Sequence, residues 1–402
     1  MSSAAITRTA TADAYAASLA RLSERNNTLV SMQENMTAGK RVLRASDDPA
    51  AAAQAERART RLARVETDQR ALEVQRNSLN EAESTLGSTN TLMQRLRELI
   101  VKGGNTALQP TDRAAVAQEM RGLRDQILTL ANTKDANGQP LFGGLGSADA
   151  PFVDQVGGVV FDALPGQAAP TGTALPATMD GFSTWMDVPT GNGVFTVAQA
   201  AGTTNVFSDQ GQVTNPTLLT GHNYSVQFTV AAGVTTYTVM DTTTATAVAS
   251  NQPYTAGQPV SFDGLSLVVK GTPANGEALQ IAPAGRDSVF GTIDRAIASV
   301  QAGSGQVGTT SHDVARALTE IDAAMARVSA ARGQAGELLA RADSITDLQA
   351  GRSIQLEADR SRAEDLDMVK ALSDFKTQET AYSVALQTYA QIQKLSLFNY
   401  LG

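Results

Sequence analysis

The amino-acid sequence predicts a mainly α-helical protein with an inserted β domain, and three observations support this prediction. Apolar residues recur at helical spacing before residue 145 and after residue 285. Between these positions the chain instead carries short alternating runs of β-branched and aromatic residues. The same middle segment holds ten of the thirteen prolines. We therefore expect the N- and C-terminal helices to form a coiled coil and an antiparallel helical bundle, with a central all-β domain.

The composition argues against several classes of function. The chain has 402 residues, no cysteine and a net charge of -8. Without cysteine it has no thiolate ligands, thiol nucleophiles or disulfides, and its negative charge argues against nucleic acid as a partner. No segment approaches the roughly 20 apolar residues that a membrane span requires. Because the first residues also lack the apolar stretch of a secretory signal, we expect no membrane partner and an export route that leaves the chain uncut.

The N-terminal flank is expected to contain two bundle helices. From residue 65 an apolar residue recurs at every seventh position, which predicts a coiled-coil-like seam of Val65, Leu72, Leu79, Leu86, Met93 and Ile100. After a polar turn, a second helix is predicted to begin with Thr111 or Asp112 as its cap. Its buried face is expected to consist of Val116, Met120, Leu123, Ile127 and Leu130.

Residues 145–285 are expected to form one small antiparallel β domain, with a loop-rich first third around Trp185. The run YSVQFTV-AAG-VTTYTVMD predicts a β-hairpin, since two alternating segments flank a short loop that contains glycine. GVFTV, PVSFDGLSLVVK and LQIAP predict further strands. This insert carries nine acidic residues against one base, Lys270, whereas the flanks have no net charge. It is therefore interpreted as a solvated outer surface, with binding of a host or matrix ligand as the alternative.

The helical pattern returns after the insert. A short helix is predicted with Val289, Ile293, Ile297 and Val300 on one face. A long helix follows, with an apolar face of Val314, Leu318, Ile321, Met325, Val328, Ala335, Leu339 and Ala342. Because both flanks share this pattern, they are expected to form one bundle.

Apolar residues at heptad spacing continue towards both ends of the chain. The N-terminal set is Tyr15, Leu19, Leu22, Leu29 and Met36, with the polar Asn26 in the same row. The C-terminal set is Met368, Leu372, Phe375, Tyr382, Leu386, Tyr389, Ile392 and Phe398, interrupted by Glu379. A lone pair of helices covers only one side of each stripe, so we expect neighbouring copies to cover the rest. Both ends are expected to be disordered in the monomer and ordered on assembly. Tyr382 and Tyr389 either pack in the coil or line the lumen of a tube.

These elements predict three domains. They are an inner terminal coiled coil (1–44 plus 351–402), a helical bundle (45–144 plus 286–350) and an outer β domain (145–285). The turn RASDDP lies where the first two meet, and it is rich in helix-capping residues: Ser46, Asp47 and Asp48, followed by Pro49 at a favourable first helical position. The turn is interpreted as an ordinary helix start and, together with Arg44, as the hinge between coil and bundle that contacts the next subunit; the two interpretations are compatible.

The sequence predicts no catalytic activity, no cofactor and no metal site. The only two histidines, His222 and His312, have no acidic or serine neighbour at the sequence spacing of a triad or metal site. KDANGQP lacks the alternating acids and terminal Glu of a calcium loop, and FGGLG follows a helix rather than a strand. An enzyme built on a helical bundle would carry paired carboxylates or histidines on its inward faces, where this chain has Leu and Ala.

Three segments resemble the flagellin superfamily, and within it the members that form the hook–filament junction. They are MTAGKRVLRASDDPAAAAQAERARTRL (36–62), ANTKDANGQPLFGG (131–144) and SRAEDLDMVKALSDFKTQETAYSVALQTYAQIQKLSLFNYLG (361–402). All three lie in the flanks and none in the insert. Ala45 stands where the junction pattern commonly has proline, and Asn399 where it commonly has aspartate. GKRVLRASDDP and the ending SLFNYLG differ from the corresponding flagellin patterns.

The resemblance implies an extracellular structural protein of the bacterial flagellum. Family members pair their terminal helices into an inner coiled coil and stack them as the tube of a helical axial structure. They leave the cell unfolded through the flagellar type III export apparatus, without a cleaved signal peptide, after an export chaperone has held the C-terminal segment. For this chain the resemblance implies self-association in a helical ring or zone between the first hook-associated protein and flagellin. The alternatives are flagellin itself and, in a different class, a secreted coiled-coil adhesin or effector.

Overall fold

The computed structural model divides into two compact units. One unit comprises residues 1–70 and 346–402, and the other comprises residues 71–345. The structure describes the backbone of residues 3–303 and 307–401, and the side chains of residues 13, 15–303 and 307–391. The three-domain division expected from the sequence stays a prediction.

Helices occupy both flanks of the chain. The described residues form α1 (Ser3–Ala38), α2 (Pro49–Gly103), α3 (Pro110–Ala131), α4 (Val289–Ala302), α5 (Val307–Glu364) and α6 (Met368–Leu401). With sheets only between α3 and α4, the predicted mainly α fold with an inserted β domain is confirmed. None of the described helices has the length and apolar character that a membrane span requires.

The strands of the described insert are short. They are β1 (Phe152–Gln155), β2 (Gly158–Phe161), β3 (Val188–Pro189), β4 (Phe195–Gln199), β5 (Val206–Ser208), β6 (Gln212–Val213), β7 (Tyr224–Ala231), β8 (Val234–Asp241), β9 (Thr246–Pro253), β10 (Pro259–Phe262), β11 (Leu265–Gly271), β12 (Ala278–Pro283) and β13 (Arg286–Asp287). Every pairing between them is antiparallel. The larger sheet has the order β4-β12-β7-β8-β9, and a smaller one has the order β10-β11-β5, with β6 also paired to β11.

The helical part of the second unit has a single apolar core. The predicted heptad of α2 is buried there from Leu72 to Ile100, and none of these heptad side chains is more than 3% exposed. Except for Leu130, which is half-buried, the predicted apolar residues of α3, α4 and α5 pack into the same core or against it. The helical periodicity therefore identified these buried faces correctly, because one side of each helix packs on the others.

The start of α3 differs from the sequence prediction. The helix begins at Pro110, and Gln109 stands at the cap position without a side-chain cap hydrogen bond. Thr111 and Asp112 lie inside the first turn, so the predicted cap was wrong. Proline suits the first helical position because it has no N–H to satisfy and its φ is already helical. The helix therefore starts two residues earlier than a Thr111 cap would give and three residues earlier than an Asp112 cap would give.

The first third of the insert belongs to the helical core rather than to the β domain. Trp185 is fully buried, stacks on Phe290 at a centroid distance of 6.0 Å and meets Phe142 edge-on at 5.5 Å. Phe152 of β1 contacts the same tryptophan. Apolar side chains from the first third of the predicted 145–285 domain therefore pack into the helical core. A loop-rich segment cannot bury large apolar side chains by itself. Those of the first third of the insert are therefore buried against the helical bundle.

The β domain proper has a separate core between its sheets. The predicted hairpin is confirmed, since β7 pairs with β8 from Tyr224↔Asp241 to Ala231↔Val234. A second tight turn joins β10 to β11 through Gly264 at φ +77°, where a Cβ would lie 2.2 Å from the carbonyl oxygen of Asn215. The buried core side chains are Phe195, Val197, Val206, Tyr224, Val226, Phe228, Val239, Val260, Phe262, Leu265, Leu267, Val269, Leu279 and Ile281.

A buried carboxylate holds the loops at one end of this domain. Glu277 accepts hydrogen bonds from the backbone N–H groups of Thr204 at 2.7 Å, Asn205 at 2.9 Å and Ala274 at 2.9 Å. Burial alone would raise the pKa of this carboxyl, but the hydrogen bonds outweigh burial and hold the pKa below its ordinary value. The ionised form is therefore the one that the fold stabilises.

Replacing a residue of the α2 heptad is expected to destabilise the second unit. Leu86→Ala removes a fully buried side chain and leaves a cavity, so the free energy of unfolding should fall by about 2 to 5 kcal/mol. Urea unfolding followed by far-UV circular dichroism measures this change. Val101→Ala on the same helix, where the side chain is 54% exposed, is the control and should change the free energy by less than about 0.5 kcal/mol. Equal effects of the two substitutions would contradict the buried seam.

Glu277→Gln is expected to have a pH-dependent effect. Because the folded-state pKa of Glu277 is lowered, its contribution is present above the ordinary value of 4.5 and is lost as the pH falls through the folded-state pKa. At pH 7 the substitution should lower the free energy of unfolding by about 1 to 3 kcal/mol. Urea midpoints measured from pH 7 downwards should converge for the two proteins at acid pH, while the exposed control Glu337→Gln stays close to wild type throughout. A difference that stays constant to pH 3 would contradict this account.

Candidate functional site

The two ends of the chain pair with each other in the first unit. Helices α1 and α6 pack together, and we call this pair the terminal coil. Because α1 ends where α6 begins, at neighbouring backbone segments, the two helices run antiparallel. The rings of Tyr15 and Tyr389 lie 5.6 Å apart. A hydrogen bond with Tyr15 raises the pKa of Tyr389 above its ordinary value.

The predicted seam residues of the terminal coil are only partly covered. Leu22 is buried, and Leu29, Met36, Phe375, Tyr382 and Tyr389 are half-buried. A second group, each 42% to 52% exposed, consists of Tyr15, Leu19, Met368, Leu372 and Leu386. Ile392 and Phe398 lie outside the described side chains. The seam that is buried in α2 is therefore half open in the terminal coil.

Further apolar side chains of α1 and α6 are exposed, and we call these together with the exposed seam residues the open stripe. Val30, Val369 and Val384 are exposed, and none of them was predicted, because they lie off the seven-residue spacing. The signal that could have found them is their position beside the heptad residues on helices with few neighbours. A fully buried leucine or valine contributes about 1.5 to 3 kcal/mol, so covering the exposed halves of several such side chains would stabilise the covered state by several kcal/mol.

Two polar residues of the predicted seam face solvent. Asn26 is exposed, so it does not lie in a buried row as the heptad count suggested. Glu379 is exposed as well and pairs with Lys376 one turn earlier, with a distance of 2.7 Å between Nζ and Oε2. Both positions lie where the coil has only two helices, which leaves room for water at a heptad position.

Two connecting segments meet at the base of the terminal coil, and we call residues 39–49 and 364–367 together the joint. The carbonyl oxygen of Glu364 accepts hydrogen bonds from the N–H groups of Arg41 at 2.7 Å and Val42 at 3.4 Å. The N–H group of Leu366 donates to the carbonyl of Gly39 at 3.0 Å. The two segments are thus bonded to each other through their backbones, although more than 300 residues separate them in sequence.

A buried carboxylate lies beside these backbone bonds. The side chain of Glu364 is 4% exposed and is surrounded by Arg59, Lys40 and Arg360. Arg59 forms the shortest of these contacts, while Lys40 Nζ is 3.5 Å and Arg360 Nε is 3.6 Å from Oε1. A buried carboxylate requires such partners, because removal from water is costly for an unpaired charge.

The turn RASDDP provides the cap of α2. Asp48 Oδ1 accepts the N–H of Ala51 at 3.0 Å, and the helix begins at Pro49. Asp47 Oδ2 accepts the N–H groups of Arg44 at 2.8 Å and Leu43 at 3.1 Å. These backbone hydrogen bonds are the main reason that the pKa of each aspartate lies below its ordinary value.

Side chains of the same turn also make contacts of their own. The hydroxyl of Ser46 lies 3.4 Å from Asp47 Oδ1, and Arg44 lies 3.7 Å from Glu34 on α1. Arg41 pairs with Asp48 at 3.1 Å. The turn therefore has an ion-pair partner in α1 and a hydrogen-bonding partner in α2.

The sequence prediction did not include half of the joint. Lys40, Arg59 and Glu364 were not singled out, and no break between two helices was predicted within residues 351–402. The available signal was Asp365-Leu366-Asp367: Asp367 Oδ1 accepts the N–H groups of Val369 and Lys370, which caps α6. Because the partner of this segment lies at the other end of the chain, the sequence spacing could not reveal the contact.

The two histidines have different surroundings in the second unit. His312 is buried, its Nε2–H donates to the carbonyl of Val197 at 3.1 Å, and burial lowers its pKa. His222 lies 2.7 Å from Asp241 through Nδ1, a partner that the sequence spacing did not suggest. Within the described residues no group of three or more potential ligand side chains could hold a metal ion.

Both flanks of the chain match models of the flagellin family. The model for the bacterial flagellin N-terminal helical region matches residues 10–147. The model for the bacterial flagellin C-terminal helical region matches residues 318–401. Together the two models match more than half of the chain, and they include α1 from residue 10 onwards, the joint and α6.

Individual relatives agree with these models. Flagellar hook-associated protein 3 of Escherichia coli (strain K12) is 41% identical over 132 residues, which is 31% of this chain and 39% of that protein. Flagellin of Bacillus subtilis (strain 168) is 32% identical over 133 residues, which is 33% of this chain and 44% of that protein. The matched part therefore spans about two fifths of the length of these curated relatives.

Solved structures cover more of the chain. Xanthomonas campestris FlgL is 28% identical with a TM-score of 0.67, and the match covers 76% of this chain and 99% of that one. The flagellar junction protein FlgL of Legionella pneumophila is 26% identical with a TM-score of 0.66, and the match covers 72% of this chain and 99% of that one. The family consists of structural proteins rather than enzymes. Matched by its models at both flanks, the chain belongs to the flagellin family and is a structural component of the bacterial flagellum.

Proposed function

We propose that this chain is a subunit of the flagellar hook–filament junction. In this role it self-associates in a helical ring or zone and joins the hook side to the flagellin filament. The observation that carries the proposal is the half-open apolar stripe of the terminal coil, because two helices leave one side of each seam to solvent. Neighbouring copies are the natural cover, since each copy brings the same stripe and a helical assembly repeats the contact.

The joint is proposed to set the geometry of this assembly. Its two segments are hydrogen-bonded to each other and include the buried, paired Glu364. A connection held by backbone bonds and by a cluster of charges fixes how the terminal coil continues into α2 and α5 within the same unit. Arg44, Ser46, Asp47, Asp48 and Pro49 form its outer turn, and we propose that this turn contacts the next subunit.

The partners follow from this role. On the hook side the neighbour is the first hook-associated protein, and on the filament side it is flagellin. Before assembly, the open stripe of α6 needs protection from aggregation, which supports an export chaperone as a transient partner. The chain is proposed to reach the cell exterior through the flagellar type III export apparatus, without cleavage of a signal peptide.

Flagellin itself is the second candidate. Bacillus subtilis flagellin is 32% identical over a segment of similar length, against 41% for the Escherichia coli hook-associated protein 3. This difference in identity favours the junction role. A secreted adhesin or effector is not favoured, because neither of those classes requires an open seam at both ends of the chain.

A charged substitution in the open stripe is expected to block assembly without unfolding the monomer. Leu386 is 42% exposed in the single chain, so Leu386→Asp should leave the thermal unfolding midpoint of the dilute protein unchanged. In a host strain that carries only this variant, electron microscopy should find hooks without filaments. Immunoblots should detect both the variant and unpolymerised flagellin in the culture medium, since both are exported and neither assembles.

Leu218→Asp is the matched control, because Leu218 is 56% exposed but lies in the β domain. This control should give filaments of normal number and length. Normal filaments on cells that carry Leu386→Asp would contradict the role of the stripe. Loss of filaments without flagellin in the medium would favour the filament subunit over the junction subunit.

A further inference from the structure

The β domain contains a cavity that the junction role does not use. Its volume is about 200 Å³, and it lies between the ends of β4, β7, β11 and β12 and the loop before β7. Its apolar walls are formed by Val194, Phe195, Leu219, Leu265, Ile281 and Pro283. The polar side chains that line it, Thr220, His222, Tyr224 and Asp263, are grouped together.

The hydroxyl protons of Tyr224 and Thr220 are both donated within this polar group. The buried hydroxyl of Tyr224 donates to Asp263 Oδ2 at 2.8 Å, and it lies 2.5 Å from the hydroxyl of Thr220. Since the proton of Tyr224 is already donated to a carboxylate, Thr220 must be the donor in the second bond. Burial raises the pKa of Tyr224 to about 12, so the phenol keeps its proton at neutral pH.

A second carboxylate fixes the tautomer of the imidazole. Asp241 Oδ2 lies 2.7 Å from Nδ1 of His222, while Oδ1 accepts the N–H groups of Thr243 and Thr244. Burial opposes ionisation of Asp241, but these hydrogen bonds prevail and its pKa is about 2. The carboxylate of Asp241 accepts the proton on Nδ1, and in this tautomer Nε2 is an acceptor.

In this tautomer the polar side chains that line the cavity offer acceptors to a ligand. Within the described residues, Asp263 Oδ1 and His222 Nε2 have no hydrogen-bond partner. Two carboxylates lie at this end of the domain, and the insert has Lys270 as its one base. A ligand that fits must bring several N–H or O–H donors, and a positive charge is favoured over a neutral head group.

We propose that this cavity binds an alkylammonium group, whose N–H groups are donated to Asp263 and His222. The alkyl chain lies against the apolar walls, as ligand sites commonly combine apolar surface with a few polar groups. At about 30 Å³ for each water-sized atom, the cavity holds roughly seven non-hydrogen atoms. This is the size of a short free amine or of one lysine side chain from another protein. The inference is independent of the proposed junction role.

Titration of the full-length protein with pentylamine tests the proposal. Because the chain has only two histidines, selective ¹⁵N labelling of histidine gives separate imidazole signals for His222 and His312, which the His222→Gln variant assigns. Pentylamine should shift the His222 signal in a saturable manner and leave the His312 signal in place. Pentanoate and 1-pentanol, which carry the same alkyl chain, should bind at least tenfold more weakly.

Two variants locate the interaction. Asp263→Asn keeps an oxygen for Tyr224 but removes the charge, and it should weaken pentylamine binding at least tenfold. Asp162→Asn changes an exposed carboxylate outside the cavity and should leave binding unchanged. If Asp263→Asn does not fold, the comparison of pentylamine with pentanoate on the wild-type protein still decides the question.

A lysine mimic distinguishes the two sources of the alkylammonium group. Binding of Nα-acetyl-lysine methylamide within tenfold of pentylamine supports a lysine side chain as the ligand, whereas binding of pentylamine alone supports a free amine. The proposal is overturned if neither amine gives a saturable shift of His222. It is equally overturned if pentanoate or 1-pentanol binds as tightly as pentylamine, or if Asp263→Asn binds pentylamine like the wild type.

Discussion

The incomplete burial of the terminal coil is the constraint on which the assembly role depends. Two paired helices can cover only one side of each apolar stripe. Several seam residues of α1 and α6, such as Tyr15 and Leu386, therefore keep much of their surface in water. An open stripe of this kind is a cost in a free monomer and a source of stability in a polymer. When copies associate, the apolar surface that is unfavourable in the monomer becomes buried and stabilises the polymer. The core of the second unit does not have to change.

The same heptad pattern has a different outcome in the two units: it is buried within the chain in one and partly exposed in the other. In α2 the seam from Leu72 to Ile100 is closed by neighbouring helices of its own chain, and it contributes to an ordinary protein core. In α1 and α6 the same spacing remains half open. The joint, with its paired backbones and its buried Glu364, lies in the first unit, where the terminal coil needs a defined starting point.

Periodicity predicted the helices well because burial on one side of a helix always leaves the same spacing in the sequence. It could not distinguish a closed seam from an open one, since both have apolar residues at the same positions. The first third of the insert was assigned to the β domain because its composition resembles that domain, whereas Trp185 packs on Phe142 and Phe290. β9 was missed because it is exposed along nearly its whole length and lacks apolar alternation. The contacts of Glu364 with Lys40 and Arg59 were not predictable, because they join opposite ends of the chain.

Hydrogen exchange measured by mass spectrometry on the dilute monomer and on the assembled protein tests the central claim most directly. We expect peptides from residues 13–38 and 368–391 to exchange rapidly in the monomer and slowly in the assembly, because neighbouring copies cover the stripe only there. Peptides from the buried part of α2 should be protected in both states. Equal and strong protection of the terminal helices in the dilute monomer would contradict the account, since it would mean that a single chain already completes its own surface.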